Sequence, residues 1–490
     1  MKTDINSKFL SIYLPLALFI LSFVWKFAYI NQRDLCLDEP FTVFNAQKSI
    51  GEILRIPAEG EPNPPLFMFL LHFWIKLFGV STLSVRFLPL LFNSITILFL
   101  YYTGKRFFGL WTGIIGSGLF MLSGYHFFHG LEARTYALLS LTTASSLYFF
   151  FQFVQNSRSS RAITGLVVSN IIMVYSHYFG WFVVLSQIIA SFVYIRSLKM
   201  FFRLMIPPLA TLAGFLPMIP LVIRQFGISS KGTWLDPPGP HEFTDQLYHF
   251  LNHREVYRVL IYILAAGFLF SLFMLFRKKK KKPDPGILVL LLWWIVPYTI
   301  MFYVSSRIPV FNSRYVLFNT IGLFLTIGAF TDYLYQGNRY LKPLAALILL
   351  SFMFIHLKIL PVNFGHREWK NSVEFVKKHE NESSIIILFP KWSDYMFSYH
   401  YDRRIFEDHS NFNEMLAKKR IFSVWGIQHV RSIMAANPGK RIIYLQDGEA
   451  NPGENVFGLL DSVYQQTESQ LYPEMLNIRV YEPRPKTDLP

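Results

Sequence analysis

Residues 64–79 read PPLFMFLLHFWIKLFG, and whether they cross a membrane decides the side on which every later loop lies. Apolar runs near spanning length occur at 9–30, 84–102, 109–127, 134–153, 161–176, 179–195, 204–223, 257–276, 286–304, 314–335 and 342–360. Counting 64–79 as well would shift the parity of everything after it.

Charge decides between the two readings, because loops on the inner side are enriched in Lys and Arg. Lys2 and Lys8 set the N-terminus inside. With 64–79 lying in the outer interface, the inner loops hold Lys105 and Arg106, then Arg158 and Arg161, then Arg196, Lys199 and Arg203. They also hold the basic block Arg277–Lys282, then Arg339 and Lys342. With 64–79 as a crossing, that block would face outside, against the rule. His72 and Lys76 also suit an interfacial helix better than a lipid-spanning one. The expectation is a polytopic α-helical membrane protein of about 11 transmembrane helices, with interfacial helices in the first outer loop and a cytoplasmic N-terminus. The run 9–30 is too long for the apolar part of a cleaved leader and reads as a retained first helix.

Composition agrees: of 490 residues, 52% are hydrophobic and only 16% charged, too apolar a balance for a soluble domain of this length. The net charge of +16 sits mostly in short loops, where it sets topology rather than forming a nucleic-acid-binding face. The basic block also suits contact with anionic membrane lipids. A single cysteine, Cys36, excludes an intrachain disulfide framework and reads as a small apolar residue.

Three outer segments follow from this parity: 31–83, 224–256, and everything after 360. The second contains KGTWLDPPGPHEF, whose Gly and Pro clusters read as irregular structure. After 360 the chain changes character, with SSIIILFP, KRIFSVWG, KRIIYLQDG and LNIRVYEP as strands and EWKNSVEFVKKH as a helix. Residues 1–360 are thus expected as the transmembrane domain and 361–490 as a small extracytoplasmic α/β domain. No internal repeat is visible, which weighs against transporter folds built from duplicated halves.

RDLCLDEPFTVF, residues 33–44, places Asp38 and Glu39 at the membrane boundary, where an ionisable group is costly and tends to be functional. Helix capping ahead of Pro40 accounts for one acid; a catalytic or ligand role accounts for the pair. GLEARTYALL puts Glu132 and Arg134 at an outer helix end, as an anion ligand or as an internal pair at the interface. YSHYFGWF contributes His177 and Tyr178, the histidine either structural or a ligand, and SSRIPVFNSRYVLF contributes Arg307, Arg314 and Tyr315. A second outer arginine beside a tyrosine suits a bound phosphate. No HExxH, Cys/His cluster or Walker motif is present, so the sequence requires no cofactor.

In order along the chain, LDEPFT, NPPLFMFLLHFWIKLFGVSTLSVRFLPLL, FFHGLEARTYALL, YSHYFGWF, NSRYVLF and HREWKNSVEFV resemble the glycosyltransferase 39-like family. That family is related to protein O-mannosyltransferases and lipid A aminoarabinose transferases, in the C-type glycosyltransferase superfamily. The resemblance covers the membrane part and the start of the outer domain, while the last 90 residues add little to it. It implies transfer of a hexosyl- or pentosyl-type sugar from a polyprenyl-phosphate-linked donor to a protein, lipid or glycan acceptor, with inversion, on the outer face of a bacterial inner membrane. It implies Asp38 as catalytic base with Glu39 completing the pair. Arg134 and Arg314 are the first choices for the donor phosphate and Arg307 and His177 the next, with Glu132, Tyr178, Asn63 and Tyr315 as weaker substrate contacts. Where relatives often carry His or another charged ligand before Pro-Pro, this chain has Asn63, with Glu61 two positions earlier. That departure puts in question the divalent-cation site of some relatives. The competing reading, from another class, is a transporter or flippase for a lipid-linked or anionic solute, which would place ionisable groups near the middle of discontinuous helices.

Overall fold

The structure, a computed structural model, describes residues 8–229, 235–276, 284–335, 340–357, 367–448 and 455–484. The basic block Arg277–Lys282, Arg339, the KGTW of the second outer segment and the expected domain boundary at 360 lie outside them. The chain forms two compact units, one of residues 1–28, 51–70 and 86–359, the other of residues 29–50, 71–85 and 360–490.

The first unit is helical. Among the described residues, six helices are long and apolar enough to cross a membrane: Phe9–Phe27, Thr82–Phe107, Tyr136–Gln155, Leu198–Gly227, Pro285–Val304 and Ser313–Leu334. Five more are apolar but shorter: Leu66–Phe78, Leu110–Leu122, Ser160–Ser176, Gly180–Tyr194 and Leu341–Ile355. At 13 residues, Leu66–Phe78 is about 20 Å long, less than a bilayer core. The run 109–127 is interrupted at Ser123, which is extended (φ −75°, ψ 119°) between Leu110–Leu122 and Gly124–His129. Breaking a helix in an apolar setting frees backbone groups that need partners. Asn252 supplies them: its Oδ1 accepts from Gly124 N at 2.7 Å and its Nδ2 donates to Leu122 O at 2.7 Å.

Close helix approach and polar links hold this unit, since lipid gives apolar side chains no reason to prefer one another. Gly104 faces Gly113 so closely that a Cβ on the first would lie 2.4 Å from the backbone nitrogen of the second. Ser146, Asn170 and Gln187, one from each of three helices, close a buried triangle: Ser146 Oγ donates to Asn170 Oδ1 (2.6 Å), Asn170 Nδ2 to Gln187 Oε1 (2.8 Å), and Gln187 Nε2 to Ser146 Oγ (2.7 Å).

The second unit is α/β. Strands β1 (Ile385–Phe389), β2 (Ile421–Ser423), β3 (Ile442–Asp447), β4 (Tyr464–Tyr472) and β5 (Leu476–Pro483) form one sheet in the order β2-β1-β3-β5-β4. β1 pairs in parallel with β2 and β3, while β5 runs antiparallel to β3 and β4. Continuous burial of β1 and β3 matches their unbroken Ile/Leu runs, as expected of parallel strands covered on both faces. The four strands read from sequence are present. β4 was not legible, because YQQTESQLY is an edge strand, mostly exposed and bulged at Gln466/Glu468, with no apolar alternation to reveal it.

Residues 29–50 and 71–85 belong to this unit. On the helix Glu39–Ala46, Phe44 sits in an aromatic cage of Tyr395, Phe406 and Phe412, with centroids 4.8, 5.6 and 4.6 Å away. His72 Nδ1 lies 2.8 Å from Ala46 O, and Tyr399 Oη donates to Val80 O at 3.1 Å. Cys36 is fully buried, as its reading as a small apolar residue required.

Candidate functional site

In the helical unit, the sequence EPNPPL leaves a short turn of helix (Ile56–Glu59) through Gly60, whose φ of +127° a side chain would strain. Gln225, from Leu198–Gly227, donates to Pro57 O (2.9 Å) and Glu61 O (2.6 Å), fixing that turn. The Glu61 carboxylate then accepts from Asn63 Nδ2 (2.6 Å) and pairs with Arg134 Nη2 (3.3 Å). All three residues are buried. Arg134 lies in the tight connection between Gly124–His129 and Tyr136–Gln155, where its N–H donates to Glu132 O at 2.7 Å. Glu132 in turn holds His129 Nδ1 at 2.6 Å.

Three more segments converge here. The ring of Tyr136 is 5.2 Å from His129 and 6.4 Å from both His177 and Tyr315, while His177 and Tyr315 are 5.7 Å apart. The Arg314 guanidinium lies 5.3 Å from the ring of Tyr315. His177 sits between two helices, and burial, then the charges of Arg134 and Arg314, push its imidazole down to about 3. It is therefore neutral at physiological pH. Burial first, then the Glu61 carboxylate, raises the Tyr178 hydroxyl. His177 Nε2, Tyr136 Oη and Tyr178 Oη are buried and meet no hydrogen-bond partner among the described residues. Three such atoms around two arginines form a pocket chemistry suited to a polar anion, because a buried donor left unmade costs about 1–3 kcal/mol.

The expected residues Asn63, Glu132, Arg134, His177, Tyr178, Arg314 and Tyr315 thus gather at one end of the helical unit. Arg307 is exposed, and among the described residues no interaction joins it to them. Sequence reasoning passed over His129 and Tyr136, although both stand in the quoted motif FFHGLEARTYALL, and treated Glu61 only as a neighbour of Asn63. Their signal was the same as that of Arg134: polar groups at the end of an apolar run.

Asp38 and Glu39 belong to the α/β unit. Asp38 occupies the position before the helix Glu39–Ala46, and its backbone carbonyl accepts from Thr42 N and Oγ1, but its side chain makes no capping bond. Capping therefore does not account for the Asp38 carboxylate. Leu37 before it adopts φ +59°, a left-handed conformation that costs a branched side chain free energy and recurs at functional sites. Glu39 is fully buried and paired with Arg33 at 2.9 Å. The loop is further fixed by Asp34 Oδ2 accepting from Lys370 N (2.9 Å) and by His400 Nε2 at 3.0 Å from Leu35 O. Within the same unit, Arg33 and Asp34 join Lys370, Lys377, Tyr399 and Arg403 in lining a cavity of about 710 Å³. Among the described residues, no three His, Cys, Asp or Glu side chains converge as metal ligands.

Residues 62–223 match the family model described as dolichyl-phosphate-mannose-protein mannosyltransferase. ArnT from Cupriavidus metallidurans in the apo state superposes with a TM-score of 0.61 at 11% identity, covering 96% of this chain and 97% of that one. The same protein bound to undecaprenyl phosphate gives 0.59 at 10%, covering 98% and 99%. The archaeal oligosaccharyltransferase AglB from Archaeoglobus fulgidus, in complex with an inhibitory peptide and a dolichol-phosphate, gives 0.52 at 11%, covering 98% of this chain and 75% of that one. No curated protein matches the sequence. The fold is shared with ArnT and AglB, and the motifs NPPLFMF, FFHGLEARTYALL and YSHYFGWF fall inside the segment matched by the family model.

Proposed function

We propose that this chain, which carries a mannosyltransferase-family segment on a C-type glycosyltransferase fold, moves a sugar from a polyprenyl-phosphate-linked donor to an acceptor on the outer face of a bacterial inner membrane. The observation that carries the reading is the cluster of buried Arg134, His177 and Tyr136 with half-buried Arg314 and Tyr178 at one end of the helical unit, with its unmet polar atoms. A lipid phosphate is already a good leaving group, so transfer needs cations to stabilise the departing charge more than it needs a general acid. Arg134 and Arg314 supply them, and neutral His177 adds a hydrogen-bonding nitrogen without a further charge.

Asp38 is the base. The acceptor oxygen attacks the anomeric carbon, its proton passes to the Asp38 carboxylate, and the anomeric carbon–phosphate oxygen bond breaks with its electrons leaving on the lipid phosphate. Direct attack of this kind inverts the anomeric centre. Glu39, held by Arg33, positions the loop rather than taking part in the proton transfer. The sugar is of hexosyl or pentosyl type.

The test is transfer by the purified full chain from a panel of polyprenyl-phosphate hexoses and pentoses. Loss of labelled sugar from at least one donor, abolished in Asp38→Asn, is expected. Absence of turnover with the whole panel, or an Asp38→Asn variant as fast as the wild type, overturns the reading.

A further inference from the structure

Lys26 stands in the last turn of the first span, Phe9–Phe27, and is fully buried. Most of that span faces away from the protein, and from Leu14 to Phe27 the buried residues are Pro15, Ser22 and Lys26. A lysine near a helix end ordinarily snorkels, carrying its amino group to the interface, where it also meets the negative end of the helix dipole. Lys26 does the reverse. Its Nζ donates to Ser22 Oγ (3.1 Å) and Asn93 Oδ1 (2.5 Å), and lies 5.7 and 5.9 Å from the ring centroids of Phe120 and Phe127. Among the described residues no carboxylate pairs with it. A basic group in an apolar core without an acid partner costs stability, and an ionisable residue inside a membrane marks function by default.

What Lys26 holds is Asn93. This side chain, 1% exposed, sits on the helix Thr82–Phe107 and donates through Nδ2 to His126 O at 3.1 Å. The same carbonyl accepts from Gly130 N, also at 3.1 Å, where the short helix Gly124–His129 ends. Asn93 is packed directly on that end, since a Cβ at Gly130 would lie 2.7 Å from Asn93 Cγ. From there the chain runs through His129, bound to Glu132, to Arg134. The His126 ring reaches the other way, with Nε2 2.6 Å from Thr320 Oγ1. Thr320 follows, after one short helical turn, the segment Ser313–Val316 that carries Arg314. A buried polar chain from Lys26 through Asn93 and His126 to Thr320 thus joins the segments of both arginines of the candidate site.

We propose that Lys26 is a positioning residue for sugar transfer: it holds Asn93 so that the turn Gly130–Arg134 keeps its place against the segment of Arg314. The chemistry needs a lysine because its amino group can only donate. It therefore draws the amide oxygen of Asn93 towards itself and leaves the amide nitrogen for the His126 carbonyl. Two cations stabilise a departing phosphate when their spacing matches it, and a displacement on the order of 1 Å costs about 100-fold in rate. The consequence for the reaction rests on the transferase reading above; the placement of the turn does not.

The experiment compares Lys26→Met and Asn93→Asp in the purified full chain, by thermal melting, by amide hydrogen exchange over residues 126–134 and by initial rates of transfer. Methionine keeps the stem without the amine, and aspartate keeps an acceptor for Lys26 but has no N–H for the His126 carbonyl. Both variants should melt at or above the wild-type temperature, the first by losing a buried basic group and the second by giving it an acid partner. Both should nevertheless exchange faster at 130–134, by about five-fold or more, the equivalent of one buried hydrogen bond. Transfer should fall by about ten-fold or more, in kcat rather than in donor KM, because the phosphate charge that needs both arginines develops in the transition state. The double variant should be no slower than the slower single one, since the two residues act as one chain. A lysine that serves folding alone gives the opposite pattern, lower melting temperatures with wild-type kcat, and that result overturns the proposal. So does wild-type exchange at the turn in both variants. If the wild type itself transfers nothing, the transferase reading falls, and exchange at 130–134 still decides whether Lys26 places the turn.

Discussion

Arg134 Nη2 lies 3.3 Å from Glu61 Oε1, a buried ion pair between residues 73 apart in the chain. Both side chains are almost out of solvent, so the pair is costly to desolvate and strongly coupled to whatever binds next to it. Arg134→Ala is expected to lower the second-order rate of sugar transfer by about 100-fold or more, the scale of losing one preorganised charge at a transition state. Arg134→Lys should recover only part, because a lysine cannot present the planar fork. Initial rates against donor concentration check this, with carrier-phosphate binding measured alongside.

Asp38 and its neighbour Glu39 should separate under mutation. Asp38→Asn preserves the shape of the side chain and should lower transfer by about 100-fold or more while the protein still folds with a melting temperature close to that of the wild type. Glu39→Ala instead breaks the buried ion pair with Arg33 and should cost about 3 kcal/mol or more. Melting temperature and initial rate, taken on both variants, distinguish a chemical residue from a structural one.

Burial raises the Asp394 carboxyl to about 6, with the Ser423 hydroxyl pulling the other way. The folded state therefore holds this proton more tightly than the unfolded chain, whose value is the ordinary 3.8. Stability from this group is fully present below about pH 4 and is lost as pH rises to about 6 and beyond. Asp394→Asn, which cannot ionise, should abolish that loss and be more stable than the wild type at pH 8 by about 2 kcal/mol, with the difference vanishing at low pH. Thermal melts of the α/β unit's signal across pH 4–8 provide the measurement.

The buried triangle of Ser146, Asn170 and Gln187 predicts a membrane-unit phenotype. Asn170→Leu removes three side-chain bonds and leaves Gln187 and Ser146 short of partners, at a cost of about 1–2 kcal/mol. Unfolding in a detergent titration should shift accordingly. Transfer at low temperature should be close to wild type, since none of the three residues lies in the proposed site.

Much of this architecture is legible in the sequence because membrane helices and buried parallel strands are specified locally. A run such as 136–155 must be helical in lipid, since every backbone group needs an internal partner, and IIILF and IIYLQD carry their burial in their composition. The polar ends of those runs also identified Arg134, His177 and Arg314. What local pattern could not supply was which ends meet. Glu61 and Arg134 are each an ordinary charged residue in the sequence, and only the packing of distant helices makes them a pair. The same holds for the break at Ser123, which is filled by Asn252 from 128 residues away. It holds too for Phe44, whose cage comes from residues after 390. Hydrophobic length and charge bias are properties of consecutive residues, and so the sequence by itself determined that the chain spans a membrane and which residues are candidates. Ion pairs, aromatic cages and unmet polar atoms depend on distances between segments far apart in the chain, and the tertiary structure alone decided those.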